Sequence, residues 1–475
     1  RPENIQKVFG ELKTVCENNF GTVTVLNMPP KPEESILSAD SNSLAGKRET
    51  PDPDNIVQVT TYRSEGKYSD FRRPDEVTYE TELEKDLERR DFTMNAIAYD
   101  PIKDILKDKF NGIRDIKDKI IRCVLKPEDR FQEDALRMLR AVRFSTELGF
   151  AIENDTLSAI FTNAVLLKEI SPERIRDEFL KIIKSRNPSV GIGLLQKTRM
   201  LEYVVPELLE GIGCEQKGSH IYDVYDHIVH ALQHAADKDF STDIRLSALF
   251  HDIGKPHTRR VAPVRDNARN PKGDGIQYTF YGHEVVGARM TKKILERLHF
   301  PRETVSRVTT LVRNHMFFSD TEKITLSAVR RIIKNVGADN IWFLMQVREC
   351  DRVGMKKAEA PYRLRKYHAM IDEALRDPIS VGQLAIDGNY MMKELGIKPG
   401  PRMGWILHGL LEEVLEDPKL NTVELLSERT RDLNELEDKD LKKLGEKAKQ
   451  QKDILEEQEV NKLHQKHGVK ANKKI

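Results

Sequence analysis

The stretch Leu87 to Tyr99 reads Leu-Glu-Arg-Arg-Asp-Phe-Thr-Met-Asn-Ala-Ile-Ala-Tyr and constrains the chain around it. Arg89 and Arg90 are adjacent guanidinium forks, a shape that suits phosphate oxygens bidentately. Asp91 beside them can accept hydrogen bonds from a ribose hydroxyl, and Asn95 adds an amide close by. The same residues also read as a helix start, with Asp91 as its cap and Met94, Ile97 and Ala98 as its buried stripe.

Upstream, Phe20 to Leu26 and Ile56 to Tyr62 are β-branched and alternating, and predict two strands. Between them, Asn27 to Asn55 is rich in Pro, Ser, Asp and Glu and predicts a long surface insertion. Arg63 to Val77 carries charges of both signs and predicts a loop, either a solvated turn or a lid over a substrate. The chain opens on Arg1-Pro2-Glu3, and Ile5 to Leu12 has the spacing of a helix end, so it reads as joined partway through a domain.

Downstream the pattern turns helical. Phe110 to Arg122 predicts a Gly turn and a short amphipathic segment. Arg130 to Leu148 predicts one helix, with Leu136, Leu139, Val142 and Phe144 inward. Its polar face holds Glu133, Asp134, Arg137, Arg140 and Arg143, the arginines recurring every third residue. Arg and Asp together can satisfy the Watson–Crick edge of a base. The same residues could instead pair with one another along an exposed helix. Ile170 to Ser185 predicts a bracing helix with Ser171 as N-cap and Pro172 at its first position.

Lys+Arg 78 against Asp+Glu 77 gives a net charge of +1, so any basic surface for a nucleic acid must be local. Cys16, Cys123, Cys214 and Cys350 are isolated, which argues against a disulfide framework or zinc knuckle and fits a reducing cytoplasm. No apolar run approaches the ~20 residues of a membrane span. No signal peptide opens the chain.

From Gly218 onward histidines accumulate. His227, His251-Asp252, His283, His315 and Asp351 form a spaced series, and the His-Asp pair follows the apolar run Leu246 to Phe250 on a predicted helix. Imidazoles and carboxylates brought from several helices can build an octahedral or two-metal site. Lys255 could steady a phosphate there or be a surface lysine. His220, His230 and His234 could be no more than a polar stripe.

Leu87–Tyr99, Glu133–Phe144 and Ile170–Lys184, in that order and spacing, resemble the tRNA nucleotidyltransferases. These are the CCA-adding enzymes of the bacterial and eukaryotic class, with the related bacterial poly(A) polymerases. The resemblance implies addition of C, C and A to tRNA 3′ ends from CTP and ATP without a nucleic-acid template. It implies that Arg89, Arg90 and Asp91 handle sugar and phosphates, and that Asp134 and Arg137, with Arg140 and Arg143 nearby, select the base. The loop from Arg63 to Glu76 resembles the family's flexible loop linked to A addition. The family also has an Asp-x-Asp strand for its Mg²⁺ ions. None is found in the first hundred residues, since Asp52-Pro53-Asp54 lies in the Pro-rich insertion and Gln58 stands where many relatives place a carboxylate. The polymerase metal aspartates are therefore expected to be missing, the chain reading as a fragment truncated at its N-terminus.

The histidine series resembles the HD phosphohydrolase domain, which in such enzymes is associated with phosphatase and 2′,3′-cyclic phosphodiesterase activity. The ligands implied are His227, His251, Asp252 and Asp351, with His283 and His315 completing a second metal of unknown identity.

The expected fold is mostly α: an N-terminal α/β remnant of a polymerase-β-like nucleotidyltransferase head, then a multidomain helical body. The expected divisions are a head over 1–100, a neck binding RNA and nucleotide over 101–217, the HD domain over 218–356, a helical tRNA-binding region over 357–430 and a charged tail over 431–475. The expected partners are the tRNA acceptor end, CTP and ATP, with no membrane and no obligate protein partner signalled. The rival reading is an HD hydrolase of nucleotides or 2′,3′-cyclic phosphates with an RNA-binding front end.

Overall fold

Apolar residues at helical spacing dominate the sequence beyond residue 120, and the computed structural model is accordingly mostly α, with its strands short and concentrated at the front. It describes residues 4, 7–8, 14–16, 22–26, 56–66, 77–216, 221–263, 276–317, 324–353, 361–442 and 444. The insertion after Asn27, Asp52 and Asp54 within it, His220, most of the loop after Val261 and the tail beyond 444 lie outside these residues.

Arg1–Ile170 form one unit and Ser171–Ile475 a second. In the first, strands Thr14–Cys16, Thr22–Leu26 and Ile56–Thr60 make an antiparallel sheet in that order. Val23 and Val25 are buried there, as their β-branched side chains favour. The expected loop after Arg63 begins and ends as a ladder, Arg63–Glu65 pairing antiparallel with Val77–Tyr79. Residues 67–76 between the two strands lie outside the described residues. Ala98–Asp100 and Ile105–Lys107 form a hairpin that spans the division expected at residue 100. Gly112 lets the Gly112–Asp118 helix press on the turn at Thr93, because a Cβ there would lie 2.2 Å from the Thr93 carbonyl oxygen.

The helix expected over Arg130 to Leu148 is two helices, Pro127–Glu133 and Leu136–Leu148. Asp134 breaks it with an extended backbone, and its carboxylate accepts the Leu136 N–H at 3.1 Å. A short acidic side chain that bonds its local backbone competes with the helix ladder. Leu136, Leu139 and Val142 are buried as expected, while Phe144 is half-buried.

The second unit opens with the Pro172–Lys184 helix, where Ser171 takes the N-cap position but makes no side-chain capping bond. Its core joins residues of the histidine-bearing helices, among them Ala231, Ala248 and Leu311, to Ile406, Leu410, Leu411 and Val414 of the Pro401–Glu416 helix. That helix's amphipathic stripe is therefore core packing. The Val423–Glu435 helix crosses position 430, where a tail was expected, because Leu426, Thr430 and Leu433 bury one face.

Candidate nucleotide site and candidate metal centre

The Arg-Arg-Asp stretch does not begin a long helix. It follows the short Leu83–Glu88 helix and leads into one turn of 3₁₀ helix, Thr93–Asn95, and then a strand. Met94, Ile97 and Ala98 are only half-buried, so the helix-start reading fails for want of a stripe to bury. Asp91 is buried and its carboxylate is used within the protein. It accepts the Phe92 N–H at 2.9 Å, the Asn95 side-chain amide at 3.0 Å and the Arg140 guanidinium at 2.8 Å. Burial alone would raise its pKa, but Arg140 and these donors lower it, so it stays ionised.

Arginines from the following helices stitch this stretch in place. Arg130 donates to the Glu88 carbonyl at 2.8 Å and Arg137 to the Arg89 carbonyl at 2.9 Å, which satisfies carbonyls left open where the 83–88 helix ends. Arg137 also meets Glu133 at 2.6 Å and the Arg130 carbonyl at 3.2 Å. It is 8% exposed, which corrects the expectation that it projects from a polar face; its i−4 carboxylate and two carbonyls draw it inward. Arg143 pairs with Glu147 at 3.0 Å and lies 3.9 Å from the Phe144 ring centroid, with the Arg140 guanidinium 5.3 Å from the same ring. The internal pairing foreseen as the alternative thus describes Arg137 and Arg143, whereas Arg140 reaches across to Asp91. Arg90 donates to the Asn95 carbonyl at 3.1 Å. Arg90 and Arg140 keep 43% and 33% of their side chains exposed, enough to face a solvent-borne ligand.

In the second unit, five helices deliver the histidine series. His227 lies in Val224–Asp237, whose first turn is capped by the Asp223 carboxylate accepting the Asp226 N–H at 2.8 Å. His251 and Asp252 follow Thr242–Phe250, a helix buried from Ile244 to Phe250. His283 opens His283–Arg297 after Gly282 in the left-handed conformation. His315 ends Arg302–Asn314, and Asp351 ends Ile341–Asp351. A glycine allows the meeting. A Cβ on Gly254 would lie 2.3 Å from the His283 carbonyl oxygen and 2.5 Å from the Gly287 nitrogen. Gly254 therefore lets the segment after His251-Asp252 sit directly against the start of the His283 helix.

His227, His251, Asp252 and Asp351 each offer one atom within 4.8 Å of the others, and Asp252, His283 and His315 form a second such group. Asp252 is common to both. His227 Nε2 lies 3.1 Å from His251 Nε2, and His283 Nε2 lies 3.2 Å from His315 Nε2. The far nitrogens of three rings face backbone carbonyls: His251 Nδ1 and Ala248 at 2.8 Å, His283 Nδ1 and Phe280 at 2.7 Å, His315 Nδ1 and Val312 at 2.7 Å. Donation to those carbonyls turns the Nε2 lone pairs inward, the orientation metal-binding imidazoles need.

The charges agree with a cation site. Burial, with His283 and His251 nearby, holds the His315 pKa below that of a free imidazole. Burial would also discharge His251, but Asp252 and Asp351 outweigh it and push its pKa to about 10; without a metal a proton supplies the positive charge. Asp252 is held well below the ordinary carboxylate range, burial being overcome by Lys255 and His251. Both its oxygens are buried without a well-directed hydrogen bond. A buried carboxylate in that state, ringed by imidazole nitrogens, fits a divalent ion. The spacing of the sequence did not reveal Gln216. Its side-chain oxygen accepts from Lys255, whose ammonium is 2.5 Å from Asp252. Lys255 is thus a buried partner of the centre, not a surface lysine.

Comparison with known proteins finds three family profiles along the chain. The profile described as the poly(A) polymerase head domain matches residues 34–122. The probable RNA and SrmB-binding site of polymerase A matches 149–211, and the HD domain matches 218–355. The A-adding tRNA nucleotidyltransferase of Deinococcus radiodurans is 33% identical over 340 residues, 70% of this chain and 75% of that protein. The CCA-adding enzyme of Ligilactobacillus salivarius is 30% identical over 379 residues, covering 80% and 79%. The CC-adding enzyme of Thermus thermophilus is 32% identical over 348 residues, covering 71% and 74%. The Bacillus stearothermophilus CCA-adding enzyme, solved with CTP, shares the fold at a TM-score of 0.60 and 24% identity over 91% of this chain and 86% of that one. With an arginine-bound Arg-Arg-Asp stretch in front and a histidine–aspartate centre behind, the chain belongs to the tRNA nucleotidyltransferase family that includes the A-, CC- and CCA-adding enzymes.

Proposed function

We propose that the chain serves CCA addition at the tRNA 3′ end, using CTP and ATP, and that its second unit hydrolyses phosphoesters with a divalent metal in a reducing, cytoplasmic setting. The observation that carries the first part is the bond from Arg140 to Asp91, which joins the Arg-Arg-Asp stretch to the arginine helix. Arg89 and Arg90 take the triphosphate, Asp91 and Asn95 set the ribose edge, and Asp134 with Arg137 reads the base. Arg140 joins the two sets, and Arg143 supports it through Phe144. Base reading requires Arg137 to exchange part of its present bonding to Glu133 and two carbonyls for the base. Mg²⁺ serves nucleotidyl transfer in this family. The candidate metal groups among the described residues both lie in the second unit.

In the second unit His227, His251, Asp252 and Asp351 would hold one divalent ion, and Asp252, His283 and His315 another. Such ions polarise a phosphoester and make bound water nucleophilic near neutral pH. Lys255 and the backbone-anchored rings keep Asp252 and the imidazoles aimed at one centre.

Titration of the chain with the four ribonucleoside triphosphates tests the nucleotide reading. CTP and ATP should bind tighter than UTP and GTP, and Asp134→Asn or Arg137→Lys should flatten that preference. Equal affinity for all four in the unaltered chain would refute it. A second reading, a 2′,3′-cyclic phosphate or nucleotide hydrolase with an RNA-binding front end, draws on the histidine centre; it predicts hydrolysis with no preference among the four triphosphates.

A further inference from the structure

Asp86 is a buried carboxylate on the Leu83–Glu88 helix, 4% exposed. Spacings of three and four residues put Arg89 and Arg90 on its side of the chain. Arg89 donates to its Oδ1 twice, from Nε at 2.9 Å and Nη2 at 2.7 Å, and Arg90 donates to its Oδ2 at 3.4 Å. The Arg63 N–H also approaches Oδ1 at 3.4 Å, from the first strand of the 63–65/77–79 ladder. One residue earlier on the helix, Lys85 donates to Glu80 at 3.0 Å, and the other oxygen of Glu80 accepts the Ser64 hydroxyl at 2.7 Å. One short helix therefore bonds both to that ladder and to the arginine pair.

We propose that Asp86 is a positioning residue that fixes Arg89 and Arg90 for a nucleoside triphosphate and ties them to the strand at Arg63. It does so without touching the nucleotide, because it is buried and its oxygens are spent on the arginines and the Arg63 N–H. Two long, flexible cations held in place beforehand lose less freedom when a triphosphate arrives. This rests on the nucleotide reading above.

The test compares CTP with CMP, which shares its base and sugar but lacks two phosphates. In the full chain, Asp86→Asn should weaken CTP by about tenfold, the cost of one charge-assisted hydrogen bond, and CMP by much less. Asp86→Glu keeps the charge one methylene out of place and should give a smaller loss of the same kind; it also serves if Asp86→Asn does not fold. In an Arg89→Ala, Arg90→Ala background, Asp86→Asn should cost no further CTP affinity. Equal losses for CTP and CMP, no loss for either, or a full additional loss in that background would overturn the role of Asp86. If Arg89→Ala with Arg90→Ala leaves CTP affinity unchanged, or if the unaltered chain binds no CTP, the nucleotide reading itself falls.

Discussion

The arginine edge of the first unit and the histidine–aspartate centre of the second both suit phosphate chemistry, but they balance charge in opposite ways. In the first, cations and anions are both side chains: Asp86 meets Arg89 and Arg90, Asp91 meets Arg140, and Glu133 meets Arg137. The edge is assembled by folding alone. In the second, four imidazoles and two carboxylates crowd one buried centre, and Lys255 supplies the fixed cation on Asp252. His251 must carry a proton there unless a metal takes its place. The comparison teaches that the first arrangement balances its charge with its own side chains, whereas the second leaves a positive charge that a proton or a divalent ion could supply.

Removing Asp252, the residue common to both candidate metal groups, should separate the two sites most sharply. Asp252→Ala should lower metal-dependent hydrolysis of a 2′,3′-cyclic phosphate by more than about 100-fold, beyond an outer-sphere effect. CTP affinity should stay within about twofold, as binding titration would show. Unchanged turnover would dissolve the contrast.

Two glycine substitutions should break the sites one at a time. Gly254→Ala drives a methyl into the start of the His283 helix and should cost about 1–3 kcal/mol with a loss of metal affinity. Gly112→Ala drives one toward the Thr93 carbonyl and should cost a similar amount with a loss of CTP affinity instead. Thermal melts with and without a divalent ion, beside CTP titrations, distinguish the two outcomes.

The pH responses should also diverge. His251 is raised from 6.5 to about 10, so its stabilising contribution to the metal-free protein is whole below 6.5 and is lost as pH rises through about 10. A metal must displace that proton, so metal affinity should rise by about tenfold per pH unit within this window. Asp91, Asp252 and Asp351 are lowered; their contributions are whole above the ordinary carboxylate pKa and are lost only as pH falls through their lower folded values. CTP affinity should lack the metal's rise. Calorimetry in buffers of different ionisation heat would count the proton released; a pH-independent metal affinity would contradict the charge balance at His251.

The smallest effect is expected at Arg143. Its i,i+4 pair with Glu147 is worth about 0.3–0.5 kcal/mol, and Arg143→Gln should leave CTP affinity within about twofold. A tenfold loss would place Arg143 against the nucleotide.

Much of the candidate metal centre was legible in the sequence, because its residue types are few and each sits on or beside a helix whose apolar period is plain. The arginine edge was less so. The period through Arg130 to Leu148 continues across the break at Asp134, and no Pro or Gly marks it. Arg137 repeats at the same interval as Arg140 yet is buried, since one of the carbonyls that draw it inward belongs to Arg89, 48 positions away. Asp86 is not legible in the sequence, because an acid near arginines in a charged helix resembles a solvated pair until its burial is known.

By itself the sequence determined which groups could meet a phosphate or a metal, since side-chain chemistry and helical period are local properties. Tertiary structure alone decided that Asp252 would serve both groups of imidazoles and that Asp91 would grip Arg140 from 49 positions away. Burial strips water from both carboxylates, and only the folded chain brings near the charges that keep them ionised.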